Sequence, residues 1–429
     1  MRILFIVPYV PNPVRVRPYE LIRGLARRGH RVVVATLWAG DEDLADLRSL
    51  AAQNVEVLSR HMPRWRSLAN CMACLPSQTP LQSVYSWNPE MGAELLRMLR
   101  GLHFDVVHVE HLRSARYGVL IRQVLARSVS GAAPPVVWDS VDCISALFRH
   151  ARSESRSLAM RCVTWLEHPR TERYESFLAT FFDRILVTSP ADGLALADLA
   201  AVRGHDVSGK LHVLCNGVDL NRFSASNQQR EPATVIITGK MSYHANITAA
   251  QHLVHDIMPI VWNYRPDVRV LIVGKDPPAS VRALTNSGGI FQVHVTGTVA
   301  DIQPYLNQAT LAVAPMVYGA GIQNKVLEAM ACGLPVVTSE QGASALKAKP
   351  GRDLMIASGA HAFARTILDL LADGRRREEL GRAGLRYVKE HHDWDCVVSL
   401  LENVYRESID SGSSRTPAFA ESTVPVGLT

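Results

Sequence analysis

This chain of 429 residues predicts an α/β protein made of two Rossmann-like, doubly wound parallel sheets. Three observations carry that expectation. Short apolar runs alternate with helix-length segments along most of the chain, and the alternation comes as two successive series. Residues 319–337 also spell one complete crossover: a glycine loop after the apolar run 311–316, an amphipathic segment, Gly333 and a further apolar run. The length leaves room for two cores of ordinary size.

In the first series the strand runs are 3–7, 31–37, 105–109, 136–138, 184–188 and 212–214. A proline-rich loop at 8–18 and a helix from about Tyr19 to Arg28 join the first two. The second series reads as strands at 234–238, 268–273, 292–296, 311–314 and 335–338. Between the series, Asn216-Gly-Val-Asp219 and the polar stretch 224–231 form the expected linker. Domains are accordingly expected at 1–224 and 225–390. Val397, Leu400, Leu401 and Val404 then mark a helix over 391–409 that packs back on the N-terminal domain. Residues 410–429, rich in Ser, Thr, Pro and Gly, are expected to be disordered.

Within 319–337, Ile322, Val326 and Met330 follow one another at i+4 on one helix face, which leaves Asn324, Lys325 and Glu328 on the other. A helix start beside a lysine and behind glycines favours a phosphate, because free N–H groups and the positive dipole end face it. The plain alternative is a crossover whose polar face is merely solvated. No Gly-Lys-Ser/Thr closes the loop as in a P-loop, and Asn324 stands where a dinucleotide fingerprint needs its third glycine. A second cluster, Gly239-Lys-Met-Ser-Tyr-His-Ala-Asn246, follows the first strand of the second half. Ligands of open parallel sheets sit beyond the carboxyl ends of strands, so Lys240 and Lys325 are expected to converge on one anion.

Composition narrows the class. A hydrophobic share of 47 % with 20 % charged residues is that of a globular protein, and no apolar run reaches the ~18 residues of a membrane span. The N-terminal run reads as a strand rather than a secretion signal. Seven scattered cysteines point to reduced thiols and a cytoplasmic protein. The pair Cys71 and Cys74 reads as packing, and no metal is assigned. A net charge of +6 suits an anionic substrate or the anionic face of a membrane. The arginine-rich run 148–173 reads either as an interfacial helix in peripheral contact with that face or as an ordinary helix with one solvated side. No base-stacking aromatics accompany the basic residues, which disfavours nucleic acid.

Jointly, Asn216-Gly-Val-Asp219, Gly239-Lys240, Val273-Gly274, Gly297-Thr-Val-Ala-Asp301 and Lys325-Val-Leu-Glu-Ala-Met-Ala-Cys-Gly-Leu-Pro-Val-Val337 resemble the retaining, nucleotide-sugar-dependent glycosyltransferases of the GT-B fold, family 4-like, group 1. The resemblance covers the chain to about residue 409. It implies two Rossmann-like domains facing across a cleft, with the donor held chiefly by the C-terminal one. It places Lys240, after Gly239, at the diphosphate and Glu328 at the ribose hydroxyls, with Thr298 and Val299 in the base-contacting loop. The stretch Gly319, Ala320, Gly321, Ile322, Gln323 and Asn324 would cover the diphosphate and donor sugar. No cofactor or divalent metal is implied beyond the nucleotide-sugar co-substrate.

Departures from the family pattern accompany the likeness. Ala320 stands at the first of two usual glutamates, and Asn246 at a second basic position, so Lys325 is expected to supply the missing charge. Asp139 stands where a histidine is common. It is expected to orient the acceptor or stabilise a cationic sugar, or else to serve as a turn residue with Asp142. Arg15 and Arg17 replace a Gly-Gly in the first loop and point to an anionic acceptor. The expected reaction is hexosyl transfer to an alcohol acceptor, a sugar or lipid-linked, with Lys240, Lys325 and loop amides stabilising the leaving phosphate. A GT-B sugar-nucleotide epimerase and a catalytically silent nucleotide-binding subunit are the alternatives.

Overall fold

A computed structural model describes residues 1–126, 133–154, 158–226, 230–286, 292–318 and 322–413, without the side chains of 126, 150–162, 286, 412 and 413. It contains two compact units, one of Met1–Leu214 with the chain from Val397 onward, the other of Cys215–Cys396.

The first unit holds strands β1 (Arg2–Val7), β2 (Arg31–Trp38), β3 (Glu56–His61), β4 (Val106–Glu110), β5 (Val136–Val141), β6 (Arg184–Val187) and β7 (Leu211–Val213). They form one sheet in the order β3-β2-β1-β4-β5-β6-β7, with parallel pairing. The strands are apolar on both faces, as a sheet covered by helices on both sides requires, and Ile3, Leu4 and Phe5 are fully buried. β3 was not among the expected strands. Its sequence Glu-Val-Leu-Ser-Arg-His is half-buried at the sheet edge and lacks the unbroken apolar run of its neighbours. The first helix is Val16–Arg27, so it starts three residues before the expected Tyr19. Pro18 is accepted there because first-turn N–H groups have no intrahelical partner.

The second unit holds β8 (Thr234–Thr238), β9 (Arg269–Val273), β10 (Val293–Gly297), β11 (Leu311–Ala314), β12 (Val336–Thr338) and β13 (Met355–Ile356), in the parallel order β10-β9-β8-β11-β12-β13. β13, only two residues long, gave no run to read. Each sheet therefore reverses its direction of growth once, between β1 and β4 and between β8 and β11, and those are the crevices where doubly wound sheets take ligands.

The division after Leu214 falls earlier than the expected boundary at 224. The cause lies in Asn216-Gly-Val-Asp219. His392 accepts from Val218 N at 2.7 Å through its carbonyl and bonds the Asn216 carbonyl through Nδ1 at 2.8 Å, while Gly217 lies against the Trp394 indole with no room for a side chain. These contacts tie the segment to the second unit. The expected helix over 391–409 is Trp394–Ser413, preceded by a separate helix Gly374–His391. From Val397 it groups with the first unit: Glu402 bonds Arg28 Nε at 2.9 Å and His30 Nε2 at 2.7 Å, and the Tyr405 hydroxyl bonds His108 Nδ1 at 2.8 Å. Burial opposes ionisation of Glu402, yet bonds from Arg28 and His30 hold its pKa down at about 2. Residues 414–429 lie outside the described residues.

The expected interfacial run 148–173 is helical in its described parts, Ile144–Glu154 and Leu158–Phe181. Arg149 pairs with Glu172 and Arg170 with Glu167, both at 3.2 Å. No described helix is long and apolar enough to cross a membrane. Cys74 Sγ reaches the Thr79 carbonyl and Cys71 Sγ the Leu81 carbonyl, so this pair packs and hydrogen-bonds locally.

One backbone contact in the second unit allows no side chain. A Cβ on Gly274 would overlap the Gly239 carbonyl oxygen, which is backbone and has little room to yield. Gly274→Ala should cost stability at the upper end of the ~1–3 kcal/mol typical of overpacking. A urea midpoint that falls without a change in m would register this, and an unshifted midpoint would contradict the close approach.

Candidate functional site

The switch point of the second sheet gathers the residues singled out in sequence. Gly239 leaves β8 with φ +145°, a conformation glycine tolerates, and the loop is pinned by Gly239 N to the Val273 carbonyl and Met241 N to the Lys275 carbonyl. Asn246 is buried and donates from Nδ2 to the Lys240 carbonyl at 2.9 Å. Its Oδ1 accepts from Lys325 Nζ at 2.7 Å. Lys325 also donates to Gln323 Oε1 at 3.0 Å and lies 3.4 Å from Met316 Sδ. The ammonium thus rests on the side chain at position 246, just under the Gly239 loop. The Lys240 side chain is exposed, and among the described residues it has no hydrogen bond or ion pair. The two lysines therefore share the loop's polar network through the Lys240 backbone, not through their side chains.

Desolvation lowers the Lys325 pKa to about 8, partly offset by Glu328. Glu328, one helical turn on in helix Asn324–Ala331, is partly buried and pushed up to about 7 by desolvation, with Arg222 and Lys325 opposing. Arg222 itself pairs with Asp301 at 3.2 Å. Gln323 occupies the N-cap position without capping through its side chain, and Asn324 accepts from Asn216 at 3.5 Å. Ile322 is buried in the core cluster of the second unit. Gly319, Ala320 and Gly321 lie outside the described residues.

Thr298 is exposed beyond β10, and Val299 packs partly buried against the core. Thr298 Oγ1 accepts from Asp276 N at 3.4 Å. With Asp276, Pro277, Pro278 and Arg282 it lines a cavity of about 620 Å³. The sequence reading missed Asp276 to Pro278, although they directly follow the strand end at Val273-Gly274.

In the first unit the polar groups meet at the β1/β4 switch point. Arg17 and Asp139 are almost wholly buried and satisfy each other: Nε reaches Oδ2 at 2.9 Å, Nη2 reaches Oδ1 at 3.1 Å, and Nη1 donates to the Leu214 carbonyl at 2.9 Å. Asp139 also accepts from Val141 N at 3.2 Å, the bond of a turn residue, and Val141 has φ +68°. Burial raises the Asp139 pKa against the pull of Arg17. Asp139 and Arg17 are thus a buried pair: the turn-residue alternative fits Asp139, and Arg17 is turned to that carboxylate where the sequence reading pointed it to an anionic acceptor. Arg15 remains at the surface, 4.6 Å over the Tyr9 ring and 3.8 Å from Asp43.

Glu110 escaped the sequence reading because the expected strand stopped one residue short of it. It is buried, accepts from the Tyr9 hydroxyl at 3.1 Å, and has Oε2 without a partner among the described residues. Burial and the nearby Asp139 raise its pKa to about 8. Tyr9, Arg15, Trp38, Arg64, Tyr85 and Arg113 are among the residues lining a second cavity of about 620 Å³. Three arginines and three aromatic rings share this lining with Asp41, Glu42 and Asp43, a mixed-charge surface that suits a polyhydroxylated guest.

A family model described as "Glycosyl transferase 4-like domain" matches residues 14–217, and one described as "Glycosyl transferases group 1" matches residues 232–373. Over 426 residues the chain is 24 % identical to a phosphatidyl-myo-inositol mannosyltransferase of Mycobacterium leprae, which covers 96 % of this chain and 98 % of that one. It is 26 % identical over 222 residues to alpha-maltose-1-phosphate synthase of Mycobacterium tuberculosis, 46 % of this chain and 57 % of the other. The solved structure of sucrose-phosphate synthase from Thermosynechococcus elongatus superposes with a TM-score of 0.66 at 17 % identity, covering 96 % of this chain and 100 % of that one. Anabaena Alr3699/HepE in complex with UDP and glucose gives 0.65 at 16 % identity, with 95 % and 100 % covered. At those identities the structural likeness speaks for the fold.

The Lys325 and Glu328 pair has a pH signature. A raised carboxyl pKa means that the native state binds more protons than the unfolded one between its usual 4.5 and about 7, so stability falls as pH rises through that window. A lowered ammonium pKa restores stability between about 8 and 10.5. Glu328→Gln should flatten the fall between pH 4.5 and 7 in urea titrations. A profile identical to that of the parent would show that this carboxyl is not held in a desolvated site.

Proposed function

Since this chain belongs to the GT-B-fold glycosyltransferases, we propose that it moves a hexosyl unit from a nucleoside-diphosphate sugar to an alcohol acceptor with retention at the anomeric carbon. The observation that carries the reading is the Lys325 ammonium resting on Asn246 Oδ1 under the Gly239-Lys240 loop, with Glu328 one turn away.

Breaking the bond from sugar to diphosphate places negative charge on the departing oxygen. In this reading Lys325 and Lys240 answer that charge together with the free amides that open helix Asn324–Ala331. Lys325, near half-charged in the free protein at pH 8, becomes fully protonated when the diphosphate arrives, because an adjacent anion favours the ammonium. Glu328 as carboxylate takes the ribose hydroxyls. The cavity at Thr298, Asp276 and Pro277 has a volume in the range of small-molecule sites and takes the base. The departing phosphate oxygen then accepts the acceptor's proton on the face it has just left, so the scheme calls on no protein nucleophile and no divalent ion.

The cavity beside Tyr9 and Arg15 receives the acceptor, a sugar or lipid-linked alcohol whose anionic group meets Arg15 and Arg113. Arg17 and Asp139 act behind it as positioning residues that hold the loop after β1 against β5. The free cysteines among the described residues fit a reducing, cytoplasmic setting, with peripheral work at the inner membrane face where the acceptor is lipid-linked.

A panel of nucleotide sugars screened by thermal shift tests the donor assignment. A true donor at ~100 times its dissociation constant adds about 2.7 kcal/mol of stability. Glu328→Ala should abolish that shift, and Lys325→Met should lower kcat by about 10²–10³. A full shift surviving in the Glu328 variant would remove the ribose assignment, and binding without transfer or hydrolysis would favour a silent subunit.

The kcat/KM profile should be bell-shaped. It should rise near pH 7 as Glu328 ionises and fall near pH 8 as Lys325 loses its proton. In Lys325→Arg the alkaline limb should move up by more than one unit, since guanidinium does not titrate there. An unmoved limb would assign it to another group.

A further inference from the structure

The second-unit cavity beyond β9 and β10 carries two opposite charges in its wall. Asp276 and Arg282 both line it, and neither side chain has a hydrogen bond or ion pair among the described residues. The backbone around them is irregular and held in place. The Lys275 carbonyl accepts from Met241 N at 2.8 Å, Asp276 takes a φ of +54°, and its N–H goes to Thr298 Oγ1 at 3.4 Å. Such a φ is uncommon outside glycine, although Asp and Asn tolerate it better than most residues. Pro277 and Pro278 follow with φ fixed by their rings, which stiffens this side of the cavity. On the β10 side the register against β9 slips between Val295 and Gly297, an irregularity that re-aims the residues at a strand end.

Hydrogen-bond chemistry then selects among flat guests. A carboxylate offers only acceptors and a guanidinium only donors. Guanine, among the common nucleobases, has two adjacent donors on one edge, N1–H and the N2 amino group, and two acceptors on the other, O6 and N7. Uracil would set a carbonyl on each side of its N3–H against the carboxylate. Adenine would set the N1 lone pair there beside its amino group. Either base leaves an oxygen of Asp276 facing another acceptor, a loss that a site built for paired donors penalises. The pyrrolidine rings of Pro277 and Pro278 add apolar surface for a planar ring.

We propose that this cavity reads guanine, with Asp276 accepting from N1–H and the N2 amino group and Arg282 donating to O6 and N7, so that the donor is a guanosine-diphosphate sugar. This rests on the donor assignment above and names its base. The segment that carries Asp276 begins at Gly274, which lies against the Gly239 carbonyl, so the base cavity and the diphosphate loop share one backbone contact.

The test is calorimetric titration of the full chain with guanosine, uridine, adenosine and inosine diphosphates. The guanosine compound should bind at least about tenfold tighter than the uridine or adenosine one, within the range a bidentate contact to a base supplies. Inosine diphosphate keeps N1–H, O6 and N7 and lacks only the N2 amino group, so it should fall between. Asp276→Asn, which suits the same φ, should weaken guanosine diphosphate by about tenfold, narrow its lead over inosine diphosphate and leave uridine diphosphate unchanged. Arg282→Gln should weaken the guanosine and inosine compounds by the same factor, since both keep O6 and N7. Both positions are exposed, and an unchanged melting temperature confirms that each variant folds. Equal or tighter binding of uridine or adenosine diphosphate, or an undiminished guanine preference in Asp276→Asn, would overturn the guanine assignment and leave the donor reading standing. Binding of none of the four would overturn both. Guanosine diphosphate binding without sugar transfer would support the guanine site and fault only the transfer reading.

Discussion

The second unit depends on two glycine backbones in contact. Because Gly274 has no side chain, the Gly239 carbonyl can lie against it, and the loop after β8 folds down over the end of β9. Its position puts the Lys240 carbonyl within reach of Asn246 Nδ2, which leaves Asn246 Oδ1 turned toward the helix that follows β11. Lys325 then has an oxygen to rest on where an ammonium would otherwise be stranded in a poorly solvated place. One steric allowance thus leads through three hydrogen bonds to the placement of a positive charge at the sheet's reversal point.

The same economy operates in the first unit with charges in place of glycines. Arg17 and Asp139 bury each other and leave no net charge behind, which is the condition under which ionised groups persist away from water. Nearby Glu110 lacks such a partner, and burial raises its pKa to about 8, with Tyr9 as its one hydrogen-bond donor among the described residues. His108 is buried against Phe5 with ring centroids 3.9 Å apart, and desolvation keeps it neutral. Two switch points of identical topology therefore present opposite electrostatics, a cation in one and a proton-bearing carboxyl in the other.

Much of this could be read from the chain, and the limits have physical causes. Strand runs were legible where both faces are buried, since the residues are then continuously apolar, whereas β3 at the edge has only Val57 and Leu58 among polar residues and did not register. That Lys325, Asn324 and Glu328 share a helix face follows from the 3.6-residue period. That the ammonium comes to rest on a residue 79 positions earlier follows only from the order in which strands pair. Asp139 invited a catalytic reading because the resemblance places a histidine there. Its neutralisation by Arg17, 122 positions away, is a tertiary fact with no local signature. Helix Arg64–Cys74 turns Trp65, Leu68 and Met72 to water although their spacing is that of an ordinary packed face, and periodicity alone does not tell which side is exposed.

The bond between Tyr405 and His108 joins positions 297 apart, and Glu402 closes on Arg28 and His30 across an even longer span of chain. On the ribosome the first sheet must therefore wait, with His108 and Arg28 uncovered, until the second unit and the last helix have emerged. The N-terminal half is made first and finished last, so a chain cut just after Cys396 would hold all of the second unit while the first still lacked Glu402 and Tyr405.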